Sequence, residues 1–261
     1  MSTYLHKIIS RFDLKELWDS FTERDRQRVE ATLFHTPVDV ESVLDVGCGD
    51  GRFLKLLASK YSRAIGIDYC FEPISRIQTP CLQASATHLP FQSASFDLIV
   101  ATEMLEHLPP EQFVPAVSEI VRVSRKFVMI TVPYRENILE GLCRCASCHQ
   151  VFHIAGHQRA FDKPDMLSLN CELEPVQITT IVPIAKERRL ALLYQCMHHL
   201  GRAYNTSSLT TRCSHCGGLP DMANGNLAGY LLDHLIARID KFFPKIEDGW
   251  LVALYKKTGN D

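Results

Sequence analysis

The stretch Val43-Leu-Asp-Val-Gly-Cys-Gly-Asp-Gly51 decides the fold of this chain. Its first four residues are short, largely apolar and rich in valine, which is typical of a buried parallel strand. An amphipathic helix starts near Arg52, so the strand turns into a helix through three glycines. Such a turn directs backbone N–H groups and the positive end of a helix at one point, and glycine lets a ligand lie against the backbone. The stretch therefore predicts a nucleotide-type pocket at the carboxyl end of a first strand.

The spacing of the glycines narrows the class of nucleotide. A dinucleotide fingerprint needs a glycine where Arg52 stands, and the Lys-Ser/Thr ending of a phosphate-binding P-loop is absent. The pattern acidic-x-G-x-G-x-G resembles motif I of the class I S-adenosylmethionine-dependent methyltransferases. The resemblance implies that the loop wraps the amino-acid end of S-adenosylmethionine, with contacts from Asp45, Gly47, Cys48, Gly49 and Gly51. The alternative is a glycine-rich turn without a function.

Two later stretches extend the resemblance to the rest of the nucleoside. Asp68 ends the predicted strand 63–68 about twenty residues after the loop, where a carboxylate can accept hydrogen bonds from both ribose hydroxyls. A surface aspartate in a turn is the alternative. Ser85-Ala-Thr-His-Leu-Pro-Phe91 resembles acidic-Ala-x-x-Leu-Pro-Phe, with Ser85 in the place of the carboxylate that meets the adenine amino group. A serine hydroxyl accepts more weakly, and the backbone of Ala86 also lies at this position. Tyr69 and Thr102 complete the cofactor-binding residues that the resemblance implies.

Five β/α repeats indicate the fold class. The segment Ser95-Phe-Asp to Glu106-His107 resembles the segment after strand four of ubiquinone- and menaquinone-biosynthesis-type methyltransferases. We therefore expect an α/β fold with a Rossmann-like, doubly wound, mostly parallel seven-stranded sheet, N-terminal helices and a zinc-knuckle insertion. The expected division is a helical cap (1–37), a cofactor-binding core (38–134), a substrate and zinc region interleaved with the sheet (135–226), and a C-terminal helix with the last strand (227–261).

Individual elements follow from periodicity and capping residues. Thr22 followed by Asp25 predicts the start of a helix, and Asp162 predicts another N-cap. Further helices are predicted at 4–21, 111–124, 186–199 and 227–243, and late strands at 176–184 and 250–255.

Four of the ten cysteines form two C-x-x-C units, Cys145/Cys148 and Cys213/Cys216. Two such turns can supply four thiolates to one tetrahedral zinc, and a closed four-thiolate site is structural. Other interpretations are a redox pair, a ligand set that includes Cys143, His149 or His153, a zinc with an open position for a thiol acceptor, and unrelated buried cysteines. Five further cysteines are scattered and resemble small buried hydrophobes: Cys48, Cys70, Cys81, Cys171 and Cys196.

Methyl transfer needs an acceptor in line with the sulfonium methyl group and a group that takes its proton. His107 is the leading candidate base because it follows strand four and an imidazole titrates near neutral pH. Glu103 and Tyr134 are the further candidates, with Glu106, His153 and His157 behind them. Packing or capping at a helix start is the alternative role for Glu106 and His107.

The composition limits the partners. Lys and Arg number 28 against 30 Asp and Glu, so no basic excess points to nucleic acid. No apolar run is long enough to span a membrane, and the first residues lack a signal-peptide layout, so a cytoplasmic location is expected. The predicted function is methyl transfer from S-adenosylmethionine to a small molecule. An RNA or protein methyltransferase and a catalytically inactive cofactor-binding module are the alternatives; the sequence does not indicate the acceptor atom or the oligomeric state.

Overall fold

Strands and helices alternate through the first half of the chain. The computed structural model describes residues 21–187, 212–213, 215–219, 238 and 244–259. The helices are α1 (Glu23–His35), α2 (Arg52–Lys60), α3 (Phe71–Ile74), α4 (Pro110–Val123) and α5 (Lys163–Leu167), with 3-10 turns at Leu105–His107 and Ile138–Gly141. The strands are β1 (Ser42–Val46), β2 (Arg63–Asp68), β3 (Cys81–Gln83), β4 (Phe96–Thr102), β5 (Ser124–Pro133), β6 (Leu142–Arg144), β7 (Val151–His153), β8 (Leu173–Glu187) and β9 (Pro244–Lys257).

Seven of the described strands form one mixed sheet in the order β3-β2-β1-β4-β5-β9-β8. The pairs from β3 to β5 are parallel, and β9 runs antiparallel to β5, with Trp250 opposite Pro133. This arrangement confirms the predicted Rossmann-like, doubly wound sheet. Strands β2 and β3 lie on one side of β1, and β4 and β5 lie on its other side. The chain therefore changes direction across the sheet next to β1, and a crevice forms there beyond the carboxyl ends of the strands.

The core lies on the strands that the sequence marks as apolar. All five residues of β1 are buried, as expected of a strand covered on both faces. In α4, Val117, Ile120 and Val121 are buried at helical spacing and pack against the sheet. Each such side chain contributes roughly 1.5–3 kcal/mol when fully buried. The sheet is therefore a rigid support for the loops at its carboxyl edge.

Capping residues fix several helix starts as the sequence predicts. The Thr22 hydroxyl accepts a hydrogen bond from the N–H of Asp25, and Asp162 forms a reciprocal capping box with Asp165. In the described part of the chain, no helix has the length and apolar character needed to cross a membrane.

Three predicted elements differ from the structure or cannot be compared with it. Strand β8 continues through Lys186 and Glu187, so the predicted helix start at 186 is wrong, because pairing within the sheet overrides local helix propensity. The remainder of that helix, the N-terminal helix before residue 21 and most of the helix at 227–243 lie outside the described residues.

The chain divides into two compact units. The first comprises residues 1–134, 161–182 and 248–261, and the second comprises 135–160 and 183–247. Met166 of α5 and the start of β8, which fall within the predicted 135–226 region, belong to the first unit, where Met166 is fully buried and its carbonyl accepts the Tyr255 hydroxyl. In the second unit, β6 and β7 form an antiparallel hairpin.

Candidate cofactor site and cysteine cluster

The glycine-rich loop after β1 takes a conformation that other residues rarely adopt. Gly47, Gly49 and Gly51 have φ angles of 80°, 52° and 74°. The N–H groups of Gly47 and Cys48 both donate to the carbonyl of Ile67, at 2.8 and 2.9 Å, which anchors the loop to β2. The turn from strand to helix therefore depends on all three glycines.

The three glycines differ in what surrounds them. A Cβ on Gly47 would lie 2.6 Å from Cγ of Met104, and one on Gly51 would lie 2.7 Å from Cδ1 of Ile77. A Cβ on Gly49 would meet no atom within 4 Å. Gly49 thus faces open space, and Gly47 and Gly51 allow close packing of the polypeptide.

A cavity of about 380 Å³ opens in front of this loop, within the usual size range of ligand pockets. Its wall contains six of the predicted cofactor residues, Gly47, Gly49, Asp68, Tyr69, Ser85 and Ala86. The other four, Asp45, Cys48, Gly51 and Thr102, do not line it. Sequence reasoning missed several lining residues, which are Ile67, Cys70, Ala84, Thr87, Met104, Leu108 and Gln112. The one sequence feature that could have predicted them is their position. Each lies at or after the carboxyl end of a predicted strand, or at the start of the helix that follows.

Asp68 connects the loops on the two sides of the cavity. One carboxylate oxygen accepts the N–H of Gly49 at 2.9 Å, and the other accepts the N–H of Cys70 at 2.8 Å. These bonds hold the carboxylate at the end of β2. A carboxylate can accept further hydrogen bonds, so this arrangement suits the two hydroxyls of a ribose.

Asp45 is a carboxyl group buried in the middle of β1, with 1% of its surface exposed. Within the described residues, neither of its side-chain oxygens has a hydrogen-bond partner. Burial, followed by repulsion from Asp68, raises the pKa of Asp45 to about 7. A buried carboxyl group without a partner beneath a ligand loop fits a cationic group of the ligand. Its neighbour Cys48 is also buried, which raises the pKa of that thiol.

Ser85 takes part in a local turn beside the cavity. Its hydroxyl oxygen accepts the N–H of Thr87 at 3.2 Å and lies 2.8 Å from the Thr87 hydroxyl. The acidic residue implied by the resemblance is thus replaced by a hydroxyl that is already engaged.

Only some of the predicted candidates for the general base line the cavity. Glu103 and His107 line the cavity, and His107 is exposed. Tyr134 does not line it; the residue is half-buried and forms a bridge with Phe161. Glu106 is fully buried and also lies outside the cavity wall. Glu103 has a φ of 53°, a strained value for a non-glycine residue, and such strain is concentrated at functional sites.

The four C-x-x-C cysteines come together in the second unit. Their sulfur atoms all lie within 4.8 Å of one another, with 3.4 Å between Cys145 and Cys216 and 3.7 Å between Cys148 and Cys213. These distances are too long for disulfides and suit the edges of a tetrahedral thiolate shell.

The two cysteine turns have the same hydrogen-bond pattern. The N–H of each first cysteine donates to the carbonyl five residues later, Cys145 to Gln150 and Cys213 to Gly218. The residue four positions after the first cysteine, His149 or Gly217, has a positive φ and donates its N–H back to that cysteine's carbonyl. The turns therefore present their thiols alike.

Backbone N–H groups also point at the sulfur atoms. Those of Cys148 and Ser147 donate to Cys145 at 3.5 and 3.4 Å and lower the pKa of its thiol to about 6. The N–H of His215 donates to Cys213 in the same way. Such bonds stabilise thiolates, which are the form that binds metal.

The alternative ligands have other contacts. The Cys143 thiol donates to the carbonyl of Phe152, and burial raises its pKa to about 11. Nδ1 of His153 accepts the N–H groups of Ala155 and His157, and burial lowers the pKa of this imidazole. The imidazole of His149 lies outside the sulfur cluster. The geometry favours the four cysteines over these substitutes.

A second cluster in this unit joins Glu136, His153 and His157. The two imidazole rings stack with centroids 4.9 Å apart, and Nδ1 of His157 bonds to a carboxylate oxygen of Glu136. Nδ1 of His153 already accepts two backbone N–H groups, so Nδ1 of both imidazoles is engaged in hydrogen bonds within this unit. We therefore regard this cluster as a hydrogen-bonded group rather than as a metal site.

Comparison with known families supports the nucleotide site. The family profile described as "Methyltransferase domain" matches residues 44–129, from β1 into β5. The ubiquinone biosynthesis O-methyltransferase of Leptothrix cholodnii is 30% identical over 97 residues, 33% of this chain and 41% of that protein. The protein with the same name in Albidiferax ferrireducens is 33% identical over 98 residues, 33% of this chain and 39% of that protein. The aligned segment thus spans about two fifths of these relatives.

Solved structures resemble the fold over most of the chain. A SAM-dependent methyltransferase from Archaeoglobus fulgidus superimposes with a TM-score of 0.54 at 16% identity, covering 95% of this chain and 99% of that one. The 1,6-didemethyltoxoflavin-N1-methyltransferase of Burkholderia thailandensis, bound to S-adenosylhomocysteine, has a TM-score of 0.50 at 15% identity, covering 98% and 89%.

The sheet order, the glycine loop and the acidic residue after β2 define a Rossmann-like nucleoside-binding domain. Together with the profile match over residues 44–129, they make this chain similar to S-adenosylmethionine-dependent methyltransferases in that segment and in its fold.

Proposed function

We propose that this chain transfers the methyl group of S-adenosylmethionine to a small-molecule acceptor. The observation that carries the proposal is the cavity in front of Gly49. Two acidic side chains, Asp68 and Glu103, line it, and its described wall has no lysine or arginine. A phosphate-bearing nucleotide would need cations or a P-loop, whereas a sulfonium nucleoside with an ammonium group suits an acidic wall.

The residues present fit this cofactor. Asp68 would hold the ribose, and Tyr69, Ser85 and Ala86 line the side on which the adenine would lie. Asp45 lies behind the cavity wall and lacks a partner among the described residues, so the ammonium group would favour its ionised form through space and not through direct contact. Bound S-adenosylmethionine supplies an electrophilic methyl group.

Glu103 and His107 would act on the acceptor. Both lie in the cavity wall beyond the end of β4. Either group can take the proton that an acceptor hydroxyl loses as the methyl group arrives, and the wall holds the acceptor in line. Tyr134 would act only indirectly, since it lies outside the wall.

A small-molecule acceptor is favoured over RNA or protein by charge and by the relatives. The chain carries a formal net charge of -2, with no basic excess for phosphates. The relatives from Leptothrix and Albidiferax are O-methyltransferases by name, so hydroxyl acceptors are the first to test.

The test is transfer of labelled methyl from S-adenosylmethionine into fractionated native extract. We expect label in low-mass material. Label in RNA or protein would favour the runner-up function. Calorimetric binding of the cofactor without transfer to any fraction would favour a module that binds the cofactor and lacks catalysis.

Removing the carboxylate of Asp68 should weaken cofactor binding. We expect Asp68→Ala to lower the affinity for S-adenosylhomocysteine by at least about tenfold, because a charge-assisted hydrogen bond is worth roughly 1.5–3 kcal/mol. Titration calorimetry measures the change. Asp50→Ala is the control, because Asp50 lies on the same loop but pairs with Arg52 at the surface and does not line the cavity. Equal affinities of the two variants would contradict the role of Asp68.

A methyl group on Gly49 should obstruct the cofactor. Gly49→Ala is expected to cost about 1 kcal/mol of stability because of its positive φ, and to lower S-adenosylhomocysteine affinity by a further, larger factor. Gly259→Ala is a matched control, since Gly259 also has a positive φ and open space around it but lies outside the cavity wall. Unchanged calorimetric affinity in Gly49→Ala would show that the ligand does not approach this backbone.

We also propose that Cys145, Cys148, Cys213 and Cys216 hold one structural zinc ion. The matching turns and the N–H groups directed at sulfur support this assignment. Four thiolates would fill the coordination shell, so the ion would join two segments distant in sequence rather than act on the substrate.

A further inference from the structure

Glu103 lines the cavity on a strained backbone, and its carboxylate accepts a hydrogen bond from a distant part of the chain. Its φ of 53° turns the chain sharply after β4. One carboxylate oxygen accepts the indole N–H of Trp250 at 2.6 Å, although 147 residues separate the two positions. A group that must take a proton from an acceptor needs such an orientation, because small displacements of a reacting group greatly reduce rates.

Trp250 is itself held in one orientation. It lies on β9, opposite Pro133 at the end of β5, and 7% of its surface is exposed. The guanidinium carbons of Arg24 and Arg28, one helical turn apart on α1, lie 4.6 and 5.5 Å from the centre of its ring. These cation–π contacts fix the plane of the indole and therefore the direction of its N–H.

We propose that Trp250 is a positioning residue for methyl transfer, which fixes the Glu103 carboxylate in the cavity wall and is fixed in turn by Arg24 and Arg28. This inference rests on the proposed function, since it takes the cavity as the place of transfer. It adds a residue from the last strand to a site otherwise built from β1 to β4. It also gives α1 a role, because its two arginines set the direction of the bond that holds Glu103.

The first experiment needs no acceptor. Trp18 and Trp250 are the two tryptophans of the chain, so Trp18→Phe leaves Trp250 as the only indole. In that background we expect Glu103→Ala to change the fluorescence emission of Trp250. With Glu103 present, we also expect titration with S-adenosylhomocysteine to change this emission. Trp250 emission that changes neither with Glu103→Ala nor with S-adenosylhomocysteine would overturn the proposal, whether or not methyl transfer is found.

The second experiment uses the low-mass extract fraction that accepts label from S-adenosylmethionine. Trp250→Phe keeps the aromatic ring and removes the N–H. We expect kcat to fall about tenfold with little change in the KM for S-adenosylmethionine, and the acid limb of the rate profile to move to higher pH, because the lost bond favoured the ionised carboxylate. Because both changes act through one group, Trp250→Phe should add little to the effect of Glu103→Ala.

Tyr255→Phe is the matched control for the second experiment. It removes another hydrogen bond from an aromatic side chain of the same strand, to the carbonyl of Met166 in the core. We expect it to lower the melting temperature and leave kcat unchanged. The proposal is overturned if Trp250→Phe behaves in this way, or if its effect on kcat multiplies fully with that of Glu103→Ala.

Discussion

Replacing Cys213 and Cys216 together with serine is expected to reduce bound zinc from about one ion per chain to almost none. The hydroxyl of serine does not ionise near neutral pH, so half of the proposed thiolate shell would be lost. Structural zinc sites bind with an apparent free energy on the order of 10 kcal/mol, and this energy stabilises the fold around them. Metal analysis of freshly purified protein measures the loss, and limited proteolysis should show faster cleavage within residues 135–160.

Cys143→Ser is the matched control for this prediction. Cys143 is buried beside the cluster, yet its thiol bonds to the carbonyl of Phe152 and lies outside the set of four sulfur atoms. The variant should keep its zinc, even if its stability decreases. Absence of metal from the unaltered protein, or equal loss in both variants, would contradict the four-cysteine site.

The parts of the fold that the sequence predicts depend on local patterns. The run from Val43 to Gly51 contains the strand, the positive-φ turn and the helix start within a few residues, so its conformation follows from residue type alone. Asp68 could be placed for the same reason, because it ends an apolar strand. The two cysteine turns were also predictable, since each is specified by its own C-x-x-C spacing.

Features that depend on contacts between residues far apart in the sequence could not be predicted from local patterns. The bond between Glu103 and Trp250 joins the residue after β4 to the middle of β9, and no local pattern marks either residue as a partner. Strand β8 runs past the predicted start of a helix at 186, because its pairing in the sheet outweighs the helix propensity of Lys186 and Glu187. Likewise, the residues that line the cavity depend on which side chains of the folded chain point into it.

Buried Asp45 leads to the second large prediction, which concerns pH. The pKa of Asp45 is about 7 in the folded chain, against 3.8 for an ordinary aspartate. The folded state therefore holds a proton that the unfolded state releases, and the free energy of unfolding should fall by roughly 4 kcal/mol in total as pH rises from about 4 to beyond 7. Asp45→Asn should remove this decrease, as urea unfolding at pH 5 and pH 8 would show.

Asp97 provides the contrasting control. It is also buried, but the N–H groups of Glu41 and Ser42 and the charge of Lys126 hold its pKa at about 2 in spite of burial. Its contribution to stability should therefore be lost as pH falls from about 4 to about 2, and Asp97→Asn should leave the decrease above pH 4 in place. A decrease that persists in Asp45→Asn would mean that another group titrates there.

Cofactor binding should show the opposite dependence on pH at the same residue. An ammonium group near Asp45 favours the ionised carboxylate, so the affinity for S-adenosylhomocysteine should rise with pH until Asp45 is fully ionised, a little above pH 7. In Asp45→Asn the affinity should be about tenfold lower and independent of pH through this range, since the attraction of the buried carboxylate for the ammonium group beyond the loop is lost. Titration calorimetry between pH 5.5 and pH 8.5, values chosen to lie on both sides of that pKa of about 7, measures both effects. Because the empty site is destabilised by the ionised carboxyl group and the filled site needs it, the strain at Asp45 is relieved when the cofactor binds. If the affinity of the unaltered protein for S-adenosylhomocysteine does not change with pH, Asp45 does not influence cofactor binding, and its burial has no function there.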